Sequence, residues 1–235
     1  MRTSALKKTV TKIYSNKERI EIKEKARLKM VQYRAKNKKI LQDIVDPDVR
    51  TIATQMSKLK ERKLGFIVIE KIIINLDPNT IQLIGSVEPI DFTDSKATVL
   101  RTMQEVDTPS HYIANVLDAI DIVFPGCKNR CVKVIKSLAG DQPQLTHTDF
   151  NVKLINKRVA NLNAFHYSVM IALQNETHLL IGTDRVRQYI PVNSMIMFRG
   201  DLPHAGDGYT ADNSRIFISV TSVFYPQSDS VYFVN

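Results

Sequence analysis

A histidine and an aspartate lie two positions apart in "LTHTDF", residues 145–150, at the edge of an apolar run. On an extended backbone, side chains at positions i and i+2 project to one face, so His147 and Asp149 would present an imidazole and a carboxylate together. This pairing is typical of a metal site. It also fits a turn in which Asp149 caps the backbone and His147 faces solvent, and the hexapeptide alone leaves both interpretations open.

A third ligand is offered by His204, which lies in "FRGDLPHAGDGY" after the apolar strand "SMIMF". The loop around it is flanked by glycines, and little else in it competes for the space. Two histidines and one carboxylate on one face of iron(II) leave the adjacent coordination positions open, as in the non-haem oxygenases. We therefore take His147, Asp149 and His204 as the candidate metal ligands and catalytic residues.

An open iron site needs an electron source, which is usually 2-oxoglutarate, and the distal carboxylate of that molecule needs a fixed cation. Arg215 begins the otherwise apolar strand "RIFISV", eleven residues after His204. A guanidinium forms bidentate, charge-assisted hydrogen bonds with a carboxylate. Strand alternation places Ser219 on the same face as Arg215, so its hydroxyl is a second candidate contact for the cosubstrate.

Taken together, "HTD", His204 in "FRGDLPHAG" and Arg215 in "NSRIFISV" resemble the H-x-D…H…R signature of the iron(II)/2-oxoglutarate-dependent dioxygenases, over roughly residues 130–225. The resemblance implies a double-stranded β-helix, or jelly roll, with iron(II) bound by the three ligands. It also implies 2-oxoglutarate and dioxygen as cosubstrates, with a salt bridge from Arg215. Ser219 lies where the prolyl-hydroxylase branch often has a hydroxyl residue, and Tyr167 is a candidate for a further cosubstrate contact.

The remaining sequence predicts the elements that position these residues. Residues 65–76 and 80–90 are rich in Ile and Val and predict strands, and two helical segments follow at about 94–106 and 109–122. From residue 131 onward, short strands alternate with polar turns and no helical pattern intervenes. The fold class is therefore predicted as α+β, with a jelly-roll core, supporting helices and a basic helical N-terminal extension.

The extension is defined by its charge. Residues 1–63 contain 19 Lys and Arg against 7 Asp and Glu, a net of +12, whereas residues 64–235 carry 14 against 17, a net of −3. We accordingly divide the chain into an extension, 1–63, and a dioxygenase domain, 64–235. A helix is predicted from Ser15 to about Leu41, and a second helical run at 49–63. Residues 1–45 are interpreted either as a nucleic-acid attachment or as a solvated charged helix or localisation signal.

Several classes of protein are disfavoured by composition. Cys127 and Cys131 are spaced C-x3-C without a second pair, which is typical of reduced structural thiols rather than of a zinc knuckle or a disulfide framework. The apolar stretches stop well short of the ~20 residues of a membrane-spanning helix, and the basic N-terminus lacks the apolar core of a signal peptide. We expect an intracellular protein, of the cytoplasm or nucleus, that is neither secreted nor membrane-bound.

The expected function is iron(II)- and 2-oxoglutarate-dependent hydroxylation or demethylation. The substrate is not readable from the jelly roll, because substrate choice lies in loops that vary on one fold. The basic extension favours nucleic acid or a nucleic-acid-associated protein. Two alternatives are kept: a small-molecule or amino-acid hydroxylase, and a non-catalytic nucleic-acid-binding protein with a degenerate jelly roll.

Overall fold

The computed structural model describes residues 16–59, 65–72, 101–105, 113–125, 127–149, 166–222 and 232–233. The chain divides into two compact units, Met1–Ile44 and Val45–Asn235. Within the described residues the helices are α1 (Asn16–Gln42), α2 (Pro47–Leu59) and α3 (Ala114–Val123). The strands are β1 (Phe66–Ile69), β2 (Arg101–Glu105), β3 (Cys127–Ser137), β4 (His147–Thr148), β5 (His166–Ala172), β6 (Thr177–Ile181), β7 (Val186–Ile190), β8 (Met195–Arg199), β9 (His204–Gly206), β10 (Asn213–Ser222) and β11 (Tyr232–Phe233).

The first unit is represented by α1, a helix of 27 residues that agrees closely with the predicted one. It contains neither Gly nor Pro, and its apolar residues Ile20, Leu28 and Val31 are exposed. A helix without a continuous apolar face has no core to bury, so its surface is dominated by charge. No helix in the described part of the chain is long and apolar enough to span a bilayer.

The second unit begins with α2, whose start is set by "DPD" at 46–48. The Asp46 carboxylate accepts hydrogen bonds from the backbone N–H of Asp48 at 2.8 Å and of Val49 at 3.0 Å. Pro47 occupies the first helical position, where a missing N–H costs nothing. The buried face of α2 contacts α3, β1 and β8. Those contacts tie α2 to the sheets, so the compact body begins before residue 64, where composition alone divides the chain.

Two antiparallel sheets form the body. The major sheet has the order β1-β8-β5-β10-β3-β2, and the minor sheet has the order β11-β4-β9-β6-β7. Residues that face each other in an antiparallel pair share a face of the sheet, which fixes which side chains point inward. The inward faces enclose one apolar layer between the sheets: Met170, Ala172, Leu179, Ile181, Ile190, Ile196 and Phe198. This arrangement confirms the predicted jelly roll.

The helix predicted at 94–106 is not found in the described part of that segment, residues 101–105. Residues 101–105 instead form β2, which pairs with β3 so that Arg101 faces Ser137. The segment "RTMQE" has helix-forming residues, but the ladder to β3 and the buried partners of Arg101 outweigh that local preference. Several predicted elements lie wholly or partly outside the described residues: the strand at 80–90, residues 73–76 of the strand at 65–76, residues 94–100 and 106 of the helix at 94–106, and residues 109–112 of the helix at 109–122.

We predict that burial, rather than residue type, decides the cost of truncating a valine in this body. Val169 on β5 is 0% exposed, whereas Val186 on β7 is 64% exposed. Val169→Ala should lower the free energy of unfolding by about 2 kcal/mol, through lost transfer energy plus a cavity. Val186→Ala should change it by less than about 0.5 kcal/mol. Urea denaturation of both variants checks this, and equal midpoints would contradict the packing described for β5.

Candidate metal centre

The pairing of β4 with β9 brings the two predicted histidine ligands together. His147 faces His204 directly across this ladder, and their ring centroids are 4.6 Å apart. Asp149 follows β4 without interruption, so its carboxylate reaches the same point. One candidate ligand atom from each of the three residues lies within 4.8 Å of the others. The structure therefore assembles the three residues that the sequence singled out.

Both imidazoles are oriented by backbone carbonyls. The Nδ1 of His147 lies 2.9 Å from the carbonyl oxygen of Leu145, and the Nδ1 of His204 lies 2.9 Å from that of Leu202. A carbonyl oxygen only accepts hydrogen bonds, so each Nδ1 must carry the proton. The lone pair of each neutral ring is then on Nε2, the usual arrangement of a metal-binding histidine with its outer hydrogen bond.

The two carboxylate oxygens of Asp149 contact different groups. Its Oδ1 lies 3.5 Å from Nε2 of His204. Its Oδ2 accepts a short hydrogen bond from the Ser168 hydroxyl and lies 4.0 Å from Nε2 of His166. Ser168 thus holds one oxygen and leaves the other directed at the histidine ligands, which is how partners of a ligand orient it for a metal.

Burial and proximity shift the protonation of this cluster. Burial alone would raise the pKa of Asp149, but the charge and hydrogen bond of His204, together with His166 and Ser168, lower that pKa well below its usual range. Burial would lower the pKa of His204, but Asp149 outweighs this effect and raises it. In the protein without metal, Asp149 therefore favours the protonated form of His204.

The other two histidines of the cluster are biased toward the neutral form. Burial, followed by the neighbouring charge of His204, lowers the pKa of His147. Burial lowers the pKa of His166 to about 4, although Asp149 opposes the shift. Burial consequently favours the neutral form of His147, which is the form that binds a metal.

The residues present fit an iron(II) ion. Two imidazole nitrogens and one carboxylate oxygen form the facial ligand set that leaves adjacent positions open. Ligands about 2.1 Å from a metal and at right angles to each other lie about 3 Å apart. The 3.5 Å between His204 Nε2 and Asp149 Oδ1 is close to that value, and the candidate ligand atom of His147 lies within 4.8 Å of the other two.

Arg215 and Ser219 lie on the same face of β10, the one directed toward the cluster. In the pairing with β5, Ser219 faces Ser168, which binds Asp149, and Arg215 faces Ala172 in the layer between the sheets. Four residues separate them, roughly 13 Å along the strand. Arg215 is 1% exposed, so it is a buried cation deeper in the jelly roll than the candidate metal ligands.

The structure does not bring Tyr167 to this cluster. Tyr167 is adjacent to Ser168 in β5 and therefore projects from the opposite face, where its ring packs 4.9 Å from that of Phe124 at the end of α3. His178 likewise lies on the outer face of β6, with its ring 5.4 Å from Tyr189. Its Nδ1 is 2.7 Å from the carbonyl oxygen of Glu176, a contact that orients the ring away from the inter-sheet space.

Two residues beside the candidate ligands are not among those selected from the sequence. The side chains of His166 and Ser168 lie on the inward face of β5 beside Asp149. Gly200 makes room for His166, because a Cβ there would lie 1.9 Å from its ring. The signal was present: polar residues at positions i and i+2 of the apolar strand "HYSVMIA" indicate one polar face.

Comparison with known proteins gives structural matches only. No protein-family model and no curated protein sequence matches the chain significantly. A prolyl-4-hydroxylase from Pseudomonas putida matches with a TM-score of 0.53 and 14% identity, over 73% of this chain and 99% of that chain. A prolyl hydroxylase from Trichoplax adhaerens, in complex with a hypoxia inducible factor peptide, matches with 0.52 and 12%, over 74% and 90%.

A prolyl 4-hydroxylase from Phytophthora capsici matches with a TM-score of 0.51 and 9% identity, over 77% of this chain and 68% of that chain. Identities this low establish the fold alone. The chain thus has a double-stranded β-helix, or jelly roll, similar to that of the matched prolyl hydroxylases, as the sequence predicts, and this fold carries a candidate His-Asp-His triad.

We predict that the histidines of the metal-free protein titrate in opposite directions. His204 should titrate above pH 6.5 because Asp149 stabilises its charged form, whereas His147 should titrate below pH 6.5 and His166 near pH 4 because both are buried. Side-chain NMR in the presence of a chelator measures each value. Asp149→Asn should move His204 below pH 6.5, since burial then dominates. A His204 titration unaffected by this substitution would rule out the ion pair.

Proposed function

We propose that this protein is an iron(II)- and 2-oxoglutarate-dependent dioxygenase. The observation that carries the proposal is the convergence of ligand atoms from His147, Asp149 and His204 within 4.8 Å on the inner side of a jelly roll. Burying three polar ligands in this arrangement costs free energy, which a bound metal would offset. Such an arrangement is therefore not expected in a degenerate, non-catalytic jelly roll. The intact triad therefore favours catalysis over the non-catalytic alternative.

The residues of the chain have separate tasks in this scheme. His147 and His204 present Nε2 to the metal because Leu145 and Leu202 hold the Nδ1 protons. Asp149 supplies the carboxylate ligand, and Ser168 keeps its second oxygen turned away. Iron(II) bound there would supply the activation of dioxygen for oxidation of a C–H bond, with 2-oxoglutarate converted to succinate and carbon dioxide.

Arg215 is the proposed anchor for the distal carboxylate of 2-oxoglutarate. Burial lowers the pKa of Arg215 to about 10, so the side chain is still a cation at neutral pH. Its hydrogen bonds go to Ser137 and Asn213, and Nε has no partner among the described residues. A buried guanidinium held only by neutral groups is stabilised by an incoming carboxylate. Ser219, on the same face, is proposed as the second contact; Tyr167 faces away and is not included.

The reaction class is hydroxylation of an unactivated C–H bond, or demethylation through the same step. The matched structures are prolyl hydroxylases, so free proline and prolyl peptides belong in a substrate screen. Nucleic acids, nucleic-acid-associated proteins and small amino acids complete it. Turnover of 2-oxoglutarate to succinate without a second substrate provides the first test, because it needs only the metal and the cosubstrate site.

We predict that His204→Ala and Asp149→Ala reduce iron(II)-dependent succinate formation to the background level, because each removes one of three metal ligands. Arg215→Ala should retain metal binding but raise the half-saturating 2-oxoglutarate concentration by about 10- to 100-fold, the value of a buried charge-assisted pair. Succinate formation is measured by mass spectrometry across a range of 2-oxoglutarate concentrations.

Matched substitutions separate these effects from general damage. His178→Ala removes a histidine on the outer face of the minor sheet, and Arg50→Ala removes an exposed arginine of α2. Both should keep turnover within about twofold of the unsubstituted protein, as is usual for sites away from the chemistry. Undiminished turnover in His204→Ala would overturn the iron assignment, and an unchanged half-saturating concentration in Arg215→Ala would overturn that of the anchor.

For the basic extension we propose a nucleic-acid attachment. Helix α1 spans residues 16–42, which contain 10 Lys and Arg against 3 Glu, and its lysines at 36, 38 and 39 are exposed. A helix with this charge and no apolar face gains little from contact with another protein surface. It gains affinity for a polyphosphate through the release of counterions, without regard to base sequence.

We predict that replacing Lys36, Lys38 and Lys39 with Gln weakens DNA binding and reduces the salt slope of log K by about 2 to 3, since each lost phosphate contact removes about 0.9. Fluorescence anisotropy with a labelled duplex at several salt concentrations measures the slope. Lys58→Gln with Lys71→Gln, both exposed on the second unit, is the control and should leave the slope unchanged. An unchanged slope in the α1 variant would place the affinity elsewhere or favour a localisation signal.

A further inference from the structure

A second buried arginine lies next to the proposed cosubstrate anchor. Arg101, the first residue of β2, donates from Nε and Nη2 to Oδ2 of Asp141 at 2.9 and 2.6 Å. Its Nε also donates to the hydroxyl of Ser137 at 2.9 Å, and its Nη2 to the main-chain oxygen of Asp207 at 2.9 Å. Both side chains of the ion pair are almost fully buried, at 4% and 0% exposure.

The two arginines share one hydroxyl. Arg215 Nη2 donates to Ser137 Oγ at 3.1 Å, on the same oxygen that accepts from Arg101. A serine oxygen has two lone pairs and can accept from both. Ser137 therefore holds the two guanidinium groups next to each other, at the anchor end of the space between the sheets.

The glycine at 206 accommodates this arginine. Gly206 shares the inward face of β9 with His204, and a Cβ on it would lie 2.4 Å from Nη1 of Arg101. The guanidinium cannot retreat from such a clash easily, because Asp141, Ser137 and Asp207 hold its other nitrogens. Arg101 thus reaches from the edge of the major sheet across to the strand that carries a metal ligand.

The two arginines differ in whether a carboxylate neutralises their charge. Arg101 has the carboxylate of Asp141, whereas no carboxylate in the described ranges lies within ion-pair distance of Arg215. The pair of cations therefore retains one positive charge that an external anion can neutralise. Without the charge of Asp141, two adjacent guanidiniums would be available, and a ligand with more carboxylates could bridge them.

We propose that Asp141 determines the specificity of the cosubstrate site: by neutralising Arg101 it leaves Arg215 as the one arginine of this pair that can bind a ligand carboxylate, and so selects 2-oxoglutarate against tricarboxylates. Asp141 and Ser137 are positioning residues in this scheme, because they act through the two arginines. The inference rests on the proposed function, since it takes 2-oxoglutarate as the ligand of Arg215.

The test compares the affinities of the full-length protein for 2-oxoglutarate and for citrate, measured by calorimetry with redox-inert Mn(II) present. Asp141→Asn keeps an oxygen that accepts from Arg101 but removes the negative charge. It should strengthen citrate binding by at least about tenfold and change 2-oxoglutarate binding by less than about threefold. Arg101→Gln should weaken 2-oxoglutarate binding by at least about tenfold, because the unpaired Asp141 carboxylate then competes for Arg215.

The double variant R101Q/D141N keeps the test decisive if a single variant fails to fold, because it leaves no unpaired charge. It should bind 2-oxoglutarate within about threefold of the unsubstituted protein and lose the citrate gain. A purely structural role would weaken both ligands in every variant. That result, or a citrate affinity unchanged in Asp141→Asn, would overturn the proposal. Absence of 2-oxoglutarate binding in the unsubstituted protein would instead overturn the proposed function.

Discussion

The site depends on the register between β4 and β9. His147 and His204 face each other across this short ladder, so both imidazoles enter the layer between the sheets. Side chains alternate along a strand, and a slip of one residue would turn His204 outward and bring Ala205 to the site. β4 has only two residues, yet it is paired on both sides, by β9 and by β11. The flanking strands thus hold the register of a segment too short to hold it by itself.

The inward face of β5 is polar at one end and apolar at the other. Near β4 it is polar, where His166 and Ser168 of β5 adjoin the ligands, and one pleat further it becomes apolar with Met170 and Ala172. At the apolar end, Arg215 of β10 faces Ala172 and places a positive charge in the interior. A buried cation at such a depth is tolerated because its neighbours provide hydrogen bonds. No carboxylate in the described part of the chain pairs with it, which is why we propose that it binds an anion.

The clustering of the three candidate ligands and the burial of Arg215 could be predicted because each residue is marked by a local signal: a polar pair beside an apolar run, a histidine between glycines, an arginine opening an apolar strand. The roles of Ser168, Arg101 and Asp141 could not, because their partners lie 19 to 106 residues away in the chain. The helix expected at 94–106 failed for the same reason, since residues 101–105 follow the ladder to β3. The strands from β5 to β10 were predictable because their apolar runs are bounded by turns.

The hydrogen bonds from each imidazole to a carbonyl two residues earlier have a consequence for the thermodynamics of metal uptake. Each contact joins two residues of the same short segment, His147 with Leu145 and His204 with Leu202, and therefore forms when that segment folds. Ring rotation and tautomer choice are therefore settled during folding, and their entropy is not lost again when a cation arrives. The site is preorganised, so capture of a metal ion should proceed without a conformational search by the two histidine side chains.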